Sequence, residues 1–294
     1  MYMTIMNTIC KLTDIDIYLL YYLEIKTVIR LITISKDQYI LMSNLDFVKE
    51  LCILVQKHGY NNIIDSAAAY NYITLINWIS DSNNEFKYTN NAIDNAAKNG
   101  CIDVLEWFSK SKYKFKYTYS SVKRHTRQYA IDQAAKNGHI DVLDWFANSK
   151  YKFKYTKCAI NKAAENGHID VLDWFTNSKY EFKYTEDAID YAAENGRDDV
   201  LEWFANSKYK FKYTEEAIDL AAMNGYIDIL NWFADSKSRG RPYEFKYTDE
   251  AIDLAAINGY IDILNWFAYS KYEFKYTVWA ITYAAENGAR RRSR

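Results

Sequence analysis

The stretch AIDLAAMNGYIDILNWFADSK, residues 217–237, carries the pattern that decides the fold. Ile218, Ala221 and Ala222 follow the i, i+3, i+4 spacing that puts them on one face of a first helix. Gly225 then ends that helix, because glycine adopts the left-handed conformation at a helix C-terminus at little cost. The following segment, IDILNWF, gives a second helix with a broad apolar stripe. Neither helix is long enough to be stable alone, so both must bury their apolar faces against neighbours.

The same pattern recurs through most of the chain and predicts an array of repeats. The recurrences begin near Ile63, Ala92, Ala130, Ala159, Ala188, Ala217, Ala251 and Ala280. Successive starts are 29 residues apart, except that nine extra residues precede the third and five precede the seventh. Because one such repeat cannot bury its own apolar faces, neighbouring repeats must stack. We therefore predict an all-α solenoid of helix–turn–helix units over residues 61–288.

Three residue types keep fixed places in the repeat. Each second helix carries a tryptophan in the same position, which we expect to be a core residue because the second-helix stripe buries neighbours in solenoids. The connector SKYKFKYT, residues 149–156, recurs with small changes, and its central phenylalanine is predicted to plug the space between repeats. Its final threonine is placed to cap the next first helix. The repeated Asp and Glu residues indicate solvated helix faces and caps.

Two segments carry a resemblance to a known family. AAKNGHIDVLDWF at residues 134–146 and AAENGHIDVLDWF at residues 163–175 resemble the ankyrin repeat, with its Ala-Ala, its Gly-His and the helix that follows. The period of 29 is shorter than the usual period of about 33, and Ala-Ile-Asp replaces the Thr-Pro-Leu-His opening. The resemblance therefore implies a shortened loop in place of the projecting finger. The 29-residue form is similar to ankyrin proteins of giant DNA viruses of amoebae, and the family implies a non-enzymatic protein-binding function.

Positions that differ between otherwise similar repeats are candidates for recognition. The residue after Ala-Ala and the residue after Gly both vary, and in ankyrin proteins they lie near the surface that contacts partners. In two neighbouring repeats these positions become apolar together, at Met223, Tyr226, Ile257 and Tyr260. An exposed apolar patch of this kind marks an interaction site. Packing against a neighbouring repeat is the alternative explanation for the same residues.

The two insertions are further candidates for partner binding. The first contains Lys123, Arg124 and Arg127, and the second contains Arg239 and Arg241. Both enlarge a connector where ankyrin fingers project, so they are candidate recognition fingers. Surface loops without a binding role are the alternative.

Residues 1–60 do not follow the repeat. Their order of a leading leucine, an aspartate, Leu-Leu-x-x-Leu and Ile-Arg-Leu resembles an F-box, which implies a substrate adaptor of a cullin-type ubiquitin ligase. The contact residues that the resemblance assigns are Leu12, Ile17, Leu20, Leu23 and Leu31. The alternative is a helical cap on the first repeat, since solenoids need atypical terminal units. A basic tail, residues 289–294, ends the sequence.

Several function classes lack support in the sequence. No nucleophile elbow, phosphate-binding loop or metal-ligand spacing occurs, so we expect no catalytic residues, no cofactor and no metal. The four cysteines share no spacing and are expected to be reduced thiols of an intracellular protein. Charged residues interrupt every long apolar run, which argues against a membrane span. Binding of single-stranded nucleic acid by the basic and aromatic connectors is a second alternative, which the net charge of −1 disfavours.

Overall fold

A computed structural model of the chain describes residues 63–81, 86–118, 129–236, 238, 240–241 and 243–282. The chain divides into two compact modules, Met1–Thr118 and Tyr119–Arg294. The boundary lies at the start of the nine-residue insertion. Within the described ranges the secondary structure is helical, with no strand. The all-α prediction is therefore confirmed for these residues.

The helices come in pairs, which we number as repeats. In the first module, repeat 1 contains α1 (Ile63–Ala69) and α2 (Ile73–Asp81), and repeat 2 contains α3 (Asn91–Lys98) and α4 (Ile102–Lys110). In the second module, the pairs of repeats 3 to 5 are α5 (Ala130–Lys136) and α6 (Ile140–Asn148), α7 (Lys157–Glu165) and α8 (Ile169–Asn177), and α9 (Asp187–Glu194) and α10 (Asp198–Asn206). Repeat 6 contains α11 (Glu216–Met223) and α12 (Ile227–Ala234), and repeat 7 contains α13 (Glu250–Asn258) and α14 (Ile261–Tyr269). Residues 278–282 are helical and begin the next recurrence.

The first helices supply most of the packing between repeats. In the first module α1 packs on α3, and in the second module α5, α7, α9, α11 and α13 pack on one another in that order. Ile218, Ala221 and Ala222 of α11 are fully buried, as their spacing predicted. The small alanine side chains let adjacent helices approach closely, so the first helices form a continuous layer within each module.

In the second helices the fully buried aromatic residue is the phenylalanine. Phe175 of α8 is 1% exposed, whereas its neighbour Trp174 is only half-buried. The same holds for the tryptophans of repeats 2, 3, 5 and 7, and Trp232 of repeat 6 is the buried exception among the described side chains. The prediction that the tryptophans are core residues is therefore wrong for most repeats. They lie at the edge of the core, where they stack on the connectors.

The connectors are joined to one another by aromatic stacking. Phe153 lies in the connector after repeat 3. Its ring centroid is 5.5 Å from that of Trp174 in α8 of repeat 4 and 4.0 Å from that of Tyr180 in the connector after repeat 4. The hydroxyl of Tyr155 also donates a hydrogen bond to the backbone carbonyl of Glu181. Equivalent stacks are made by Phe86, Phe182, Phe211 and Phe245. The prediction that this phenylalanine fills the space between repeats is confirmed.

The threonine at the end of each connector links one repeat to the next. Thr156 caps α7 by accepting a hydrogen bond from the backbone N–H of Cys158 at 3.1 Å. Its own N–H and hydroxyl donate to the two carboxylate oxygens of Asp132, both at 2.8 Å. Asp132 is 3% exposed, so the expectation that these aspartates lie on solvated faces is wrong. The same Asp–Thr pair occurs as Asp65–Thr89, Asp94–Thr118, Asp190–Thr214, Asp219–Thr248 and Asp253–Thr277.

Candidate partner-binding surface

The exposed side of each first helix carries a stripe of three residues at i, i+4 and i+7 spacing. In α11 the stripe is Glu216, Leu220 and Met223, and in α13 it is Glu250, Leu254 and Ile257. Residues with this spacing share one helix face. Because α11 and α13 pack side by side, the two stripes are neighbours. The apolar members are half-buried, and the glutamates at the start of each stripe are exposed.

In repeats 6 and 7 the residue after the glycine is a tyrosine, which adds an aromatic ring to this surface. A Cβ placed on Gly196 would lie 2.7 Å from the ring of Tyr226, and one on Gly225 would lie 2.7 Å from the ring of Tyr260. Each tyrosine therefore covers the glycine of the preceding repeat. Both tyrosines remain 39% exposed. Each tyrosine thus packs against the preceding repeat with part of its ring and exposes the rest to solvent.

Because α11 packs beside α13 and the ring of Tyr260 covers Gly225, which precedes Tyr226, we treat these residues as one apolar area and call it the repeat 6–7 patch. Its members are Leu220, Met223, Tyr226, Leu254, Ile257 and Tyr260. The four residues chosen from the sequence are brought together in it, and the two leucines were missed. Leu220 lies three residues before Met223, and residues with this spacing share one face of a helix. That spacing is the sequence signal by which Leu220 could have been identified. The binding role of the patch stays a prediction.

The corresponding surface of repeats 4 and 5 is polar. Lys162 of α7 pairs with Glu165, and its Nζ lies 4.9 Å from the ring centroid of Tyr191. Burial raises the pKa of Tyr191, and the negative charges of Asp187 and Glu216 raise it further. Those charges therefore face the same surface as the Tyr191 hydroxyl. The change from polar to apolar side chains occurs between repeats 5 and 6.

Within the second insertion, Arg241 is held by the protein itself. Its guanidinium donates to both carboxylate oxygens of Glu202, at 2.7 and 2.6 Å, and to Asn206 at 2.9 Å. It also lies 5.8 Å from the ring centroid of Trp232. These hydrogen bonds lower the pKa of Glu202 to about 2. Because its guanidinium is already hydrogen-bonded to α10, this geometry argues against Arg241 as a recognition residue. Arg241 instead links the insertion to α10.

The other sequence candidates lie outside the described residues. They are Lys123, Arg124, Arg127 and Arg239 of the insertions, the F-box-like residues Leu12, Ile17, Leu20, Leu23 and Leu31, and the basic tail at 289–294. Among the residues that the structure describes, no group of His, Cys, Asp and Glu side chains is arranged to hold a metal ion. None of the described helices is long and apolar enough to cross a membrane.

The rings of the connectors between stacked repeats are engaged within the protein, whereas Phe274 and Tyr276 of the last described connector are exposed. Phe182 stacks on Tyr209 at 4.0 Å and on Trp203 at 5.7 Å. Lys212 places its Nζ 4.6 Å from the ring centroid of Tyr184 in the preceding connector. A nucleic-acid base needs an open ring face on which to stack. Since neighbouring rings and lysines cover these faces, the connectors make a poor platform for single-stranded nucleic acid.

The comparison with protein-family models agrees with this architecture. Residues 131–215, which cover repeats 3 to 5, match a family model of ankyrin repeats in three copies. The crystal structure of the human ASB11 ankyrin repeat domain also matches, with a TM-score of 0.46 and 16% sequence identity over 65% of this chain and 90% of that domain. A search of curated proteins found no match. The helix pairs and the family match together give an ankyrin-type solenoid fold, and ankyrin repeats are in general modules for protein–protein interaction.

Proposed function

We propose that this protein is a non-enzymatic scaffold that binds another protein through the repeat 6–7 patch. The observation that carries the proposal is the exposure of Tyr226 and Tyr260 beside the apolar stripes of α11 and α13. Repeats 3 to 5 place Lys, Glu, His or Arg at the positions of these four residues, and they keep the same fold. Apolar residues are therefore not needed there for folding, which supports a role in binding.

The repeats themselves supply substitutions that test this proposal. Met223→Glu and Ile257→Glu introduce the residue found at Glu165 and Glu194, and Tyr226→His and Tyr260→His introduce the residue found at His139 and His168. Because each new residue already occupies that position in a folded repeat, the fourfold variant is expected to fold. A matched control, Lys136→Glu with His139→Arg, makes the same kind of exchange in repeat 3.

The experiment is affinity capture from cells with the tagged full chain, followed by mass spectrometry. We expect proteins that bind the wild type and the repeat 3 control to be lost with the fourfold variant. Circular dichroism checks that all three chains are equally helical. An unchanged set of captured proteins with the fourfold variant would show that the patch is not the binding surface.

The adaptor function is a finer proposal that rests on the F-box-like order of residues 12–31. In it, the repeats select a target and the N-terminal segment contacts ubiquitin-ligase subunits. The proposed location is intracellular, and a host-cell protein is the proposed target because the 29-residue period resembles that of giant-virus ankyrin proteins. Leu20→Asp with Leu23→Asp tests the adaptor function in the same capture experiment. Loss of cullin-ligase subunits without loss of the other partners supports it, and their absence from the wild-type sample contradicts it.

A further inference from the structure

The repeat 6–7 patch is bordered by negative charge at both ends of its helices. At the start of α11 and α13 lie four exposed acidic residues, Glu215, Glu216, Asp249 and Glu250. Exposed aspartates also lie in the first turn of the following helices, Asp228 in α12 and Asp262 in α14. The helix pairs therefore present an apolar centre between two acidic margins.

The side of the patch towards repeat 5 is also mainly acidic. Glu194 ends the stripe of α9, next to the stripe of α11, and Asp187 begins it. The exposed basic residue in this register is Arg197, which covers Gly167 of repeat 4. Lys212 and Lys246 precede α11 and α13, but they lie over the rings of Tyr184 and Tyr213 in the preceding connectors. The exposed acidic residues on the three sides therefore outnumber the exposed arginine. This surface is therefore acidic, although the whole chain is nearly neutral, with a net charge of −1.

We propose that the patch binds a basic amphipathic segment of a protein partner. Apolar side chains of that segment pack on Leu220, Met223 and Tyr226 and on their counterparts in repeat 7. Its lysines and arginines lie against the acidic margins. This inference rests on the proposed function and specifies the chemistry of the partner.

Both parts of the surface contribute to selecting such a segment. Burial of apolar side chains supplies affinity at about 25 cal/mol per Å² of area removed from water, reduced by the cost of association. The acidic margins raise the association rate of a cationic partner and repel an anionic one. An acidic peptide, a nucleic acid and an anionic membrane are therefore disfavoured at this place. Because the acidic residues are exposed, their effect is screened by salt.

Three synthetic helical peptides of about 18 residues, a length of roughly five helical turns, test the proposal against the full chain. The first is an amphipathic leucine–lysine peptide, the second replaces its lysines by glutamates, and the third replaces its leucines by serines. Fluorescence anisotropy measures each dissociation constant. We expect the leucine–lysine peptide to bind at least about tenfold more tightly than either of the others, a difference of about 1.4 kcal/mol. Its affinity should fall as the salt concentration rises.

Variants of the chain locate the binding of the leucine–lysine peptide. The fourfold patch variant is expected to bind it at least about tenfold more weakly, whereas the repeat 3 control keeps the wild-type affinity. Glu216→Gln with Glu250→Gln is expected to weaken binding and to reduce its salt dependence.

Two results overturn the inference. One is binding of the leucine–glutamate peptide as tight as that of the leucine–lysine peptide. The other is binding of the leucine–lysine peptide that is absent or unaffected by the patch variant. If cellular partners are still lost from the patch variant in the capture experiment, the proposed function stands and only the chemistry of the partner is wrong. If neither the peptides nor the cellular partners respond to the patch variant, both proposals fail.

Discussion

Gly196 serves the repeat in two ways that depend on its lack of a side chain. Its φ of 68° lies in the left-handed region, which ends the first helix and turns the chain into the second. The space where a Cβ would stand is also occupied by the ring of Tyr226 from the next repeat. One position therefore fixes both the turn within a repeat and the contact between two repeats.

Gly196→Ala is expected to destabilise the protein more than Gly240→Ala does. Gly240 has a similar φ of 73°, but no atom lies within 4 Å of its Cβ position. Both substitutions incur the left-handed strain of about 1–2 kcal/mol, and only the first also displaces a ring, which adds about 1–3 kcal/mol. Urea unfolding followed by circular dichroism measures the difference.

The double variant Gly196→Ala with Tyr226→Ala separates these two contributions. Without the ring, Gly196→Ala no longer displaces a side chain. The double variant should therefore lose only the stability that corresponds to the backbone strain and to the packing that the Tyr226 ring itself provides. An equal destabilisation by Gly196→Ala and Gly240→Ala would show that the ring contact is unimportant.

Asp190 has an unusual protonation equilibrium because it is buried at an interface between repeats. The pKa of Asp190 is raised to about 6, mainly by burial and in smaller part by the charges of Glu216 and Asp187, while hydrogen bonds from Thr214 oppose the shift. The folded state therefore holds this proton more tightly than the unfolded state, where the carboxyl has its ordinary pKa of 3.8. The resulting stability is present below pH 3.8 and is lost as the pH rises through about 6.

The melting temperature is accordingly expected to rise when the pH falls from about 7.5 to about 5. Asp190→Asn should reduce this rise, and Asn161 shows that an asparagine fits the position, since its side chain bonds to Thr185. Arg241 lowers the pKa of Glu202 to about 2, so stability linked to Glu202 is lost only at lower pH, as the pH falls from 4.5 through about 2. A pH dependence that is the same in the wild type and in Asp190→Asn would contradict the assignment to Asp190.

At the scale of the helix, the second helices carry two adjacent aromatic residues with different roles. The phenylalanine fills the core between the two layers, whereas the tryptophan lies at its edge. Trp174 stacks on Phe153 from the preceding connector, and its Nε1 donates a hydrogen bond to Asp144 of the preceding second helix at 2.6 Å. Similar bonds join Trp203 to Asp173 and Trp266 to Asn231. The tryptophans thus connect neighbouring second helices and connectors.

Phe175→Ala is expected to cost about 3–5 kcal/mol, as for a buried aromatic side chain. Trp174→Ala should cost less, because the indole is partly exposed. Trp174→Phe keeps a ring in the stack and loses the indole hydrogen bond, which contributes about 1 kcal/mol. Chemical unfolding of the three variants tests this order. A larger loss of stability in Trp174→Ala than in Phe175→Ala would mean that the tryptophan is the core residue after all.

At the scale of the whole molecule, the period of the sequence was sufficient to predict the helix pairs and their stacking. Helical spacing identified the buried face of α11, and Gly225 marked its end. The period did not show which of two adjacent aromatic residues is buried, because both lie on the apolar stripe. It also did not reveal the burial of Asp132, whose partner Thr156 belongs to the next repeat.

The candidate surface was predicted only in part for similar physical reasons. Variation between repeats identified Met223 and Tyr226, but it did not connect them with Leu220, whose exposure depends on how the first helices pack. The pairing of Arg241 with Glu202 joins residues far apart in sequence and leaves no local signal. Contacts within a helix can therefore be read from the sequence, whereas contacts between repeats require the packed structure.

Site-specific photocrosslinking in cells tests most directly the claim that the repeat 6–7 patch binds a protein partner. A photoreactive phenylalanine analogue would replace Tyr226 or Tyr260, and control chains would carry it at Tyr269, which is 90% exposed on α14, or at His139 in repeat 3. We predict that the same partner is crosslinked from both patch positions and from neither control. Crosslinking from Tyr269 or His139 but not from Tyr226 and Tyr260 would contradict the claim.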